Sequence, residues 1–75
     1  MKAIRTKYHG PTDTRASRIT ATEPDGHKVT IPWDYDLNTP NNHRAAALAL
    51  RDKMGWKGHL ITGSLSDSYV HVFAD

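Results

Sequence analysis

Apolar and polar positions alternate with a period of two along the first part of the chain. In residues 2–8, Ile4, Thr6 and Tyr8 fall on one side of an extended backbone and Arg5 and Lys7 on the other. Residues 16–23 repeat the alternation, with Ile19 and Ala21 inward and Arg18, Thr20 and Thr22 outward. Residues 27–33 do so again, with Val29, Ile31 and Trp33 inward and Lys28 and Thr30 outward. Turn chemistry separates the runs: Gly10-Pro11-Thr12-Asp13 after the first and Glu23-Pro24-Asp25-Gly26 after the second. Asp-Gly between alternating runs is a strong hairpin signal, so the pattern predicts three antiparallel strands in succession. Pro32 lacks an N–H donor and belongs at a strand end or on an unpaired edge.

The period then changes. Thr39 reads as an N-cap, Pro40 suits the first helical position and Gly55 suits the residue after the last turn, which predicts a helix over 40–54. Arg51 and Lys53 lie at the negative end of its dipole. Projected at about 100° per residue, His43, Ala46, Ala47, Leu50 and Met54 form the face that should lie on the sheet. Leu48 falls nearly opposite Leu50, beside Ala45 and Arg44, and is a candidate contact with another chain. A second hairpin follows, from His59 to Leu65 and from Tyr69 to Ala74 around Ser66-Asp67-Ser68. Both sides of its last strand are apolar: Val70 and Val72 on one, Tyr69, His71 and Phe73 on the other, and the pattern leaves open which side meets the helix. The order βββαββ predicts a single α+β domain over residues 1–75, an antiparallel sheet of about five strands with one helix packed on one face.

Composition narrows what such a domain can do. The 75 residues contain no cysteine, which excludes a disulfide framework and a thiolate metal site. The longest apolar run, Ala45 to Leu50, is far short of the roughly 20 residues of a bilayer span, and with no signal peptide at its start the chain is expected in the cytoplasm. The net charge is only +2, yet it is segregated. Residues 1–18 carry Lys2, Arg5, Lys7, Arg15 and Arg18 against Asp13, while residues 19–42 carry Glu23, Asp25, Asp34 and Asp36 against Lys28. Residues 43–59 are basic again through Arg44, Arg51, Lys53 and Lys57. Basic strands and a basic helix end should therefore face one acidic region.

Candidate chemistry is sparse. His9, His27, His43, His59 and His71 lie on five separate elements with no metal-binding spacing, so neither a metal nor another cofactor is expected. His43, in the first helical turn on the inner face, reads as a buried histidine with satisfied nitrogens. Ser64, Ser66 and Ser68 and the glycines at 55, 58 and 63 make no nucleophile or phosphate motif, and no enzymatic activity is expected. Two surfaces remain. Arg5, Lys7, Arg18 and Lys28 share the outward face of the sheet; were Tyr69, His71 and Phe73 to join them, the face would be a platform for single-stranded nucleic acid. The loop Trp33-Asp34-Tyr35-Asp36-Leu37-Asn38 alternates aromatics with carboxylates. Trp33 reads chiefly as a core residue, whereas Asp34, Tyr35 and Asp36 can anchor a protein interface with a basic groove.

Several strings, Met1-Lys2-Ala3-Ile4-Arg5-Thr6-Lys7-Tyr8, Gly10-Pro11-Thr12, Arg18-Ile19-Thr20-Ala21, Val29-Thr30-Ile31-Pro32, Lys53-Met54-Gly55-Trp56 and Tyr69-Val70, resemble a group of short orphan proteins of phages, plasmids and other mobile elements. The βββαββ layout, with an Ala-rich helix ending in a Trp-containing segment, is also similar to that of some anti-CRISPR proteins, a likeness of architecture and size. That group carries no activity to transfer; small size, the absence of a catalytic constellation, the segregated charge and this resemblance together lead to the expectation of a cytoplasmic, non-enzymatic protein that binds a host protein complex, such as a CRISPR effector, with Asp34, Tyr35, Asp36 and Leu48 as its candidate contacts. The alternatives are a nucleic-acid-binding domain using Arg5, Lys7, Arg18 and Lys28, and a self-associating module that dimerises through Leu48 or an open strand edge.

Overall fold

The alternating runs pair as the pattern predicts. A computed structural model describes residues 2–74 and contains β1 (Ala3–His9), β2 (Arg18–Thr22), β3 (Lys28–Pro32), α1 (Thr39–Met54), β4 (His59–Ser64) and β5 (Tyr69–Ala74). All five strands form one antiparallel sheet in the order β3-β2-β1-β5-β4, so the fold is α+β with α1 on one face. The first and last strands lie side by side at its centre, and α1 carries the chain from the β3 edge across to β4. No helix among the described residues is long and apolar enough to cross a membrane.

Local signals explain most element ends. Gly26 takes a positive φ of 98° after a turn closed by Gly26 N–H to the Glu23 carbonyl at 2.9 Å, the geometry that Asp-Gly favours in a three-residue hairpin loop. Gly55 is left-handed at φ 71°; its N–H reaches the Asp52 carbonyl while that of Trp56 reaches Arg51, which caps the C-terminus of α1. At the other end the cap is Asn38, one residue before the expected Thr39. The Asn38 Oδ1 accepts the Asn41 N–H at 2.9 Å, leaving Thr39 and Pro40 inside the first turn. The outer strands are shorter than expected: β3 ends at Pro32, whose donorless nitrogen faces the open edge of the sheet, and Trp33 lies beyond it with its N–H on the Ser17 carbonyl at 3.1 Å.

The core is thin in the middle and aromatic at both ends. Ile4, Ile19, Ala21, Ala46, Ala47, Leu50 and Leu60 are buried, the two helical alanines letting α1 approach the sheet closely. At the N-terminal end of α1, Tyr8 meets Trp33 edge-on at 4.9 Å, and His43 lies 6.4 Å from Trp33 and 4.2 Å from Tyr69. At the C-terminal end, Trp56 lies 5.6 Å from His27 and 6.2 Å from Phe73, with the Lys2 ammonium 4.6 Å from its ring. Leu48, expected to stand away from the sheet, is half-buried and packs against the core.

The register of β5 resolves the side left open by the sequence. His71 sits opposite Ile4, Tyr69 opposite Thr6 and Phe73 opposite Leu60, so the rings face α1 and Val70 and Val72 face solvent. The open face is therefore not an aromatic platform. Long rings fill the space that a small-residue helix leaves at its ends. His71 can be buried among them because hydroxyls on both neighbouring strands meet its two nitrogens.

Both edges of the sheet are guarded from α1. Lys53 Nζ donates to the Lys28 carbonyl of β3 at 2.9 Å, and Arg44 Nη1 donates to the Leu60 carbonyl of β4 at 2.9 Å and to Thr62 Oγ1 at 3.3 Å. Arg51 adds a bond to the Gly58 carbonyl at 3.0 Å. Cations on edge strands disfavour edge-to-edge pairing, which weighs against self-association by strand addition.

Candidate functional site

The loop between β3 and α1 is held by one buried side chain. Asn42 is 1% exposed. Its Oδ1 accepts the Asp34 N–H at 2.8 Å, and its Nδ2 donates to the carbonyls of Asp34 at 2.8 Å, Leu37 at 3.1 Å and Asn38 at 3.2 Å. Inside the loop, Asp34 Oδ1 accepts the Asp36 N–H at 2.9 Å and the Asp34 carbonyl accepts the Leu37 N–H at 3.2 Å. The backbone of residues 34–38 is thus fixed from within and from below.

This frame projects Tyr35 outward, 81% exposed, between the exposed Asp34 and Asp36. Neither carboxylate is ion-paired among the described residues. Beside them opens a groove of about 530 Å³ whose wall is apolar at Ile31, Trp33, Leu37 and Ala45. Trp33 belongs to both surfaces, since it packs on the core and lines the groove. The arrangement can receive a basic side chain: carboxylates for its charge, aromatic rings for its face and an apolar wall for its stem. Leu48 is not among the groove residues and packs on the core instead.

A second constellation lies under the helix. Thr6 Oγ1 is 2.8 Å from His43 Nδ1 and 2.9 Å from His71 Nε2; His71 Nδ1 is 2.9 Å from Thr62 Oγ1, which also receives Arg44. Arg44 can only donate, so the polarity that uses every hydroxyl proton runs from Arg44 to Thr62, from Thr62 to His71, from His71 to Thr6 and from Thr6 to His43. Both rings are then neutral. Burial lowers the pKa of His43, a hydrogen bond to the backbone of Thr6 offsetting part of the effect. His71 is lowered to about 4, first by burial and then by the repulsion that a protonated His43 and Arg44 exert on a second positive charge. The expectation that His43 is a satisfied inner-face histidine holds; His71, on the strand whose buried side the sequence left open, is its buried partner. No three metal-ligating side chains converge among the described residues.

The open face carries the predicted cations in the predicted orientation. Arg5, Lys7, Arg18 and Lys28 all lie on the side away from α1. Arg5 leans toward the β4–β5 turn, with Nε 3.0 Å from Ser68 Oγ and Nη2 3.3 Å from Asp67. Asp67 is correspondingly held below the usual carboxylate pKa, by the Ser68 hydroxyl first and Arg5 second.

Sequence reasoning missed Asn42 and the Thr6–His71 link. Asn42 left a signal, an amide side chain beside His43 on the inner half of a helix otherwise rich in alanine, where asparagine weakens the helix unless it bonds elsewhere. The link joins residues 65 positions apart, and no local pattern announces it. No family model matches the chain, and no curated protein or solved structure is significantly similar to it.

Proposed function

We propose that the chain is a non-enzymatic protein-binding module whose acidic aromatic loop docks on a basic, nucleic-acid-binding groove of a host protein complex. The observation that carries this reading is Tyr35, 81% exposed on a loop that four Asn42 hydrogen bonds hold in place. A rigid loop loses little conformational freedom on binding, and tyrosine is among the residue types that most often anchor interfaces. Asp34 and Asp36 add a negative field that steers the loop to a positive surface and stand where phosphates would. The resemblance to mobile-element proteins makes a CRISPR effector the first complex to test, with inhibition by occlusion as the outcome.

The test is affinity capture from a host lysate by the wild-type chain and by a variant carrying Asp34→Lys, Tyr35→Ala and Asp36→Lys, followed by competition with nucleic acid on the captured complex. The reading expects a nucleic-acid-handling complex that the wild type retains and blocks and that the loop variant loses. Recovery of the same complex by both proteins, or of no such complex by the wild type, overturns it.

A further inference from the structure

The face of the sheet opposite α1 holds chemistry that the loop does not use. The register places Arg5, Thr22 and Lys28 in one cross-strand row, Lys7, Thr20 and Thr30 in the next, and His9, Arg18 and Pro32 in a third. With strands about 4.8 Å apart and alternate residues about 6.7 Å apart, this patch measures about 10 Å across and about 13 Å along. Its centre is a shallow basin of about 330 Å³, floored by Thr20 and Thr22 and rimmed by Arg5, Lys7, His9 and Lys28, with no carboxylate in its lining. The Thr20 and Thr30 hydroxyls are 3.3 Å apart across the floor.

Three of the cations are uncommitted. Arg5 is partly neutralised by Asp67, but Lys7, Arg18 and Lys28 have no ion-pair partner among the described residues. Arg18 stands beside the basin in the third row, its Nη1 buried without a hydrogen-bond acceptor among the described residues. The charge is also confined. On the β4 side of the same face the row Ala3, Val72 and Ile61 is apolar, so an anionic ligand is directed along β1, β2 and β3.

We infer that this basin binds the phosphodiester backbone of a nucleic acid without reading its sequence. Ammonium, guanidinium and threonine hydroxyl groups are the side-chain types that contact phosphates. A protein partner would need an apolar anchor at the centre of the patch, and the basin has none. Because Tyr69 and Phe73 face α1, the lining of the basin offers one small imidazole, His9, and no phenyl, phenol or indole ring to stack on bases, so affinity follows phosphate density. Duplex is therefore bound at least as tightly as single strand, the reverse of what a stacking platform would give. The inference uses no loop residue and stands apart from the protein-binding reading.

Fluorescence anisotropy with labelled duplex and single strands of scrambled sequence tests it, with polyglutamate as a competing polyanion. Three neutralised phosphates give a log–log salt slope of about −3 and a loss of affinity of roughly 40-fold between about 50 and about 200 mM salt. Lys7→Gln and Lys28→Gln, both at exposed positions, should each reduce the slope by about 1, with unchanged circular dichroism, while Asp34→Lys leaves it no shallower. Absence of binding at low salt, tighter binding of single strand than duplex, equal competition by polyglutamate, or slopes unaltered by both lysine variants would each overturn the inference.

Discussion

Acidifying the folded protein from about pH 7.5 to about pH 4 acts on the one place where two ionisable rings are buried together. His71 is fully buried and His43 3% exposed, and Thr6 bridges them. Both pKa values are lowered by burial, that of His71 to about 4 from 6.5. A histidine whose folded pKa lies below its unfolded value binds fewer protons when folded. Stability is therefore whole above pH 6.5, declines as pH falls below it and is fully lost for that group near pH 4. For His71 the gap of about 2.5 units at about 1.36 kcal/mol each gives about 3 kcal/mol, and His43 adds in the same direction. Set against the roughly 4–11 kcal/mol that holds a domain of this length, the loss is between about a quarter and about three quarters of the total. Asp67 does not blur the window, because its lowered pKa costs stability only as pH falls below 3.8. Urea titrations followed by tryptophan fluorescence at stepped pH measure the profile, with His71→Gln as the non-titrating comparison. The variant should be less stable at neutral pH and flatter toward acid. A wild-type profile that stays level between about pH 6.5 and about pH 4, or a His71→Gln profile as steep as wild type, would refute the reasoning.

Three further outcomes follow from the same contacts. Thr6→Val keeps the shape of the side chain but leaves His43 Nδ1 and His71 Nε2 without their shared partner, and should cost about 2–4 kcal/mol in chemical denaturation. Asn42→Ala removes four bonds to the loop and should cost about 2–3 kcal/mol, with faster amide exchange at Asp34 before any change in the strands. Gly55→Ala meets no steric obstacle but must hold φ near 71°, so calorimetry should show a loss of about 1 kcal/mol, or roughly 4–8 °C.

Much of the fold is legible in the sequence because each element carries its own local signal. Period-two alternation sets the faces of β1, β2 and β3, and Asp25-Gly26 and Gly55 mark a turn and a helix end. Where two signals compete, the outcome depends on geometry. Asn38 and Thr39 are both capping residues, and Asn38 wins because its Oδ1 reaches the Asn41 N–H. The last strand is apolar on both sides, so its orientation depends on what the helix leaves unfilled and on Thr6 and Thr62 standing on either side of His71. The same limit applies to the sites. The cations of β1 to β3 and the exposed Tyr35 follow from alternation and loop composition, whereas Asn42 and the histidine relay depend on contacts between distant parts of the chain. Leu48 shows the converse: its place on the helical projection suggested exposure, but a slim Ala-rich helix sits low enough for its flank to touch the core.

The central claim is that Tyr35, on a loop fixed by Asn42, is the anchor of a protein interface, and the affinity of Tyr35→Ala for the complex captured by the wild type tests it most directly. The side chain is too exposed to support the fold, so the variant should melt as wild type does. Loss of an interface anchor should weaken binding by about 30-fold or more, and Lys7→Gln on the opposite face should leave protein binding unaltered. Wild-type affinity in Tyr35→Ala would contradict the account.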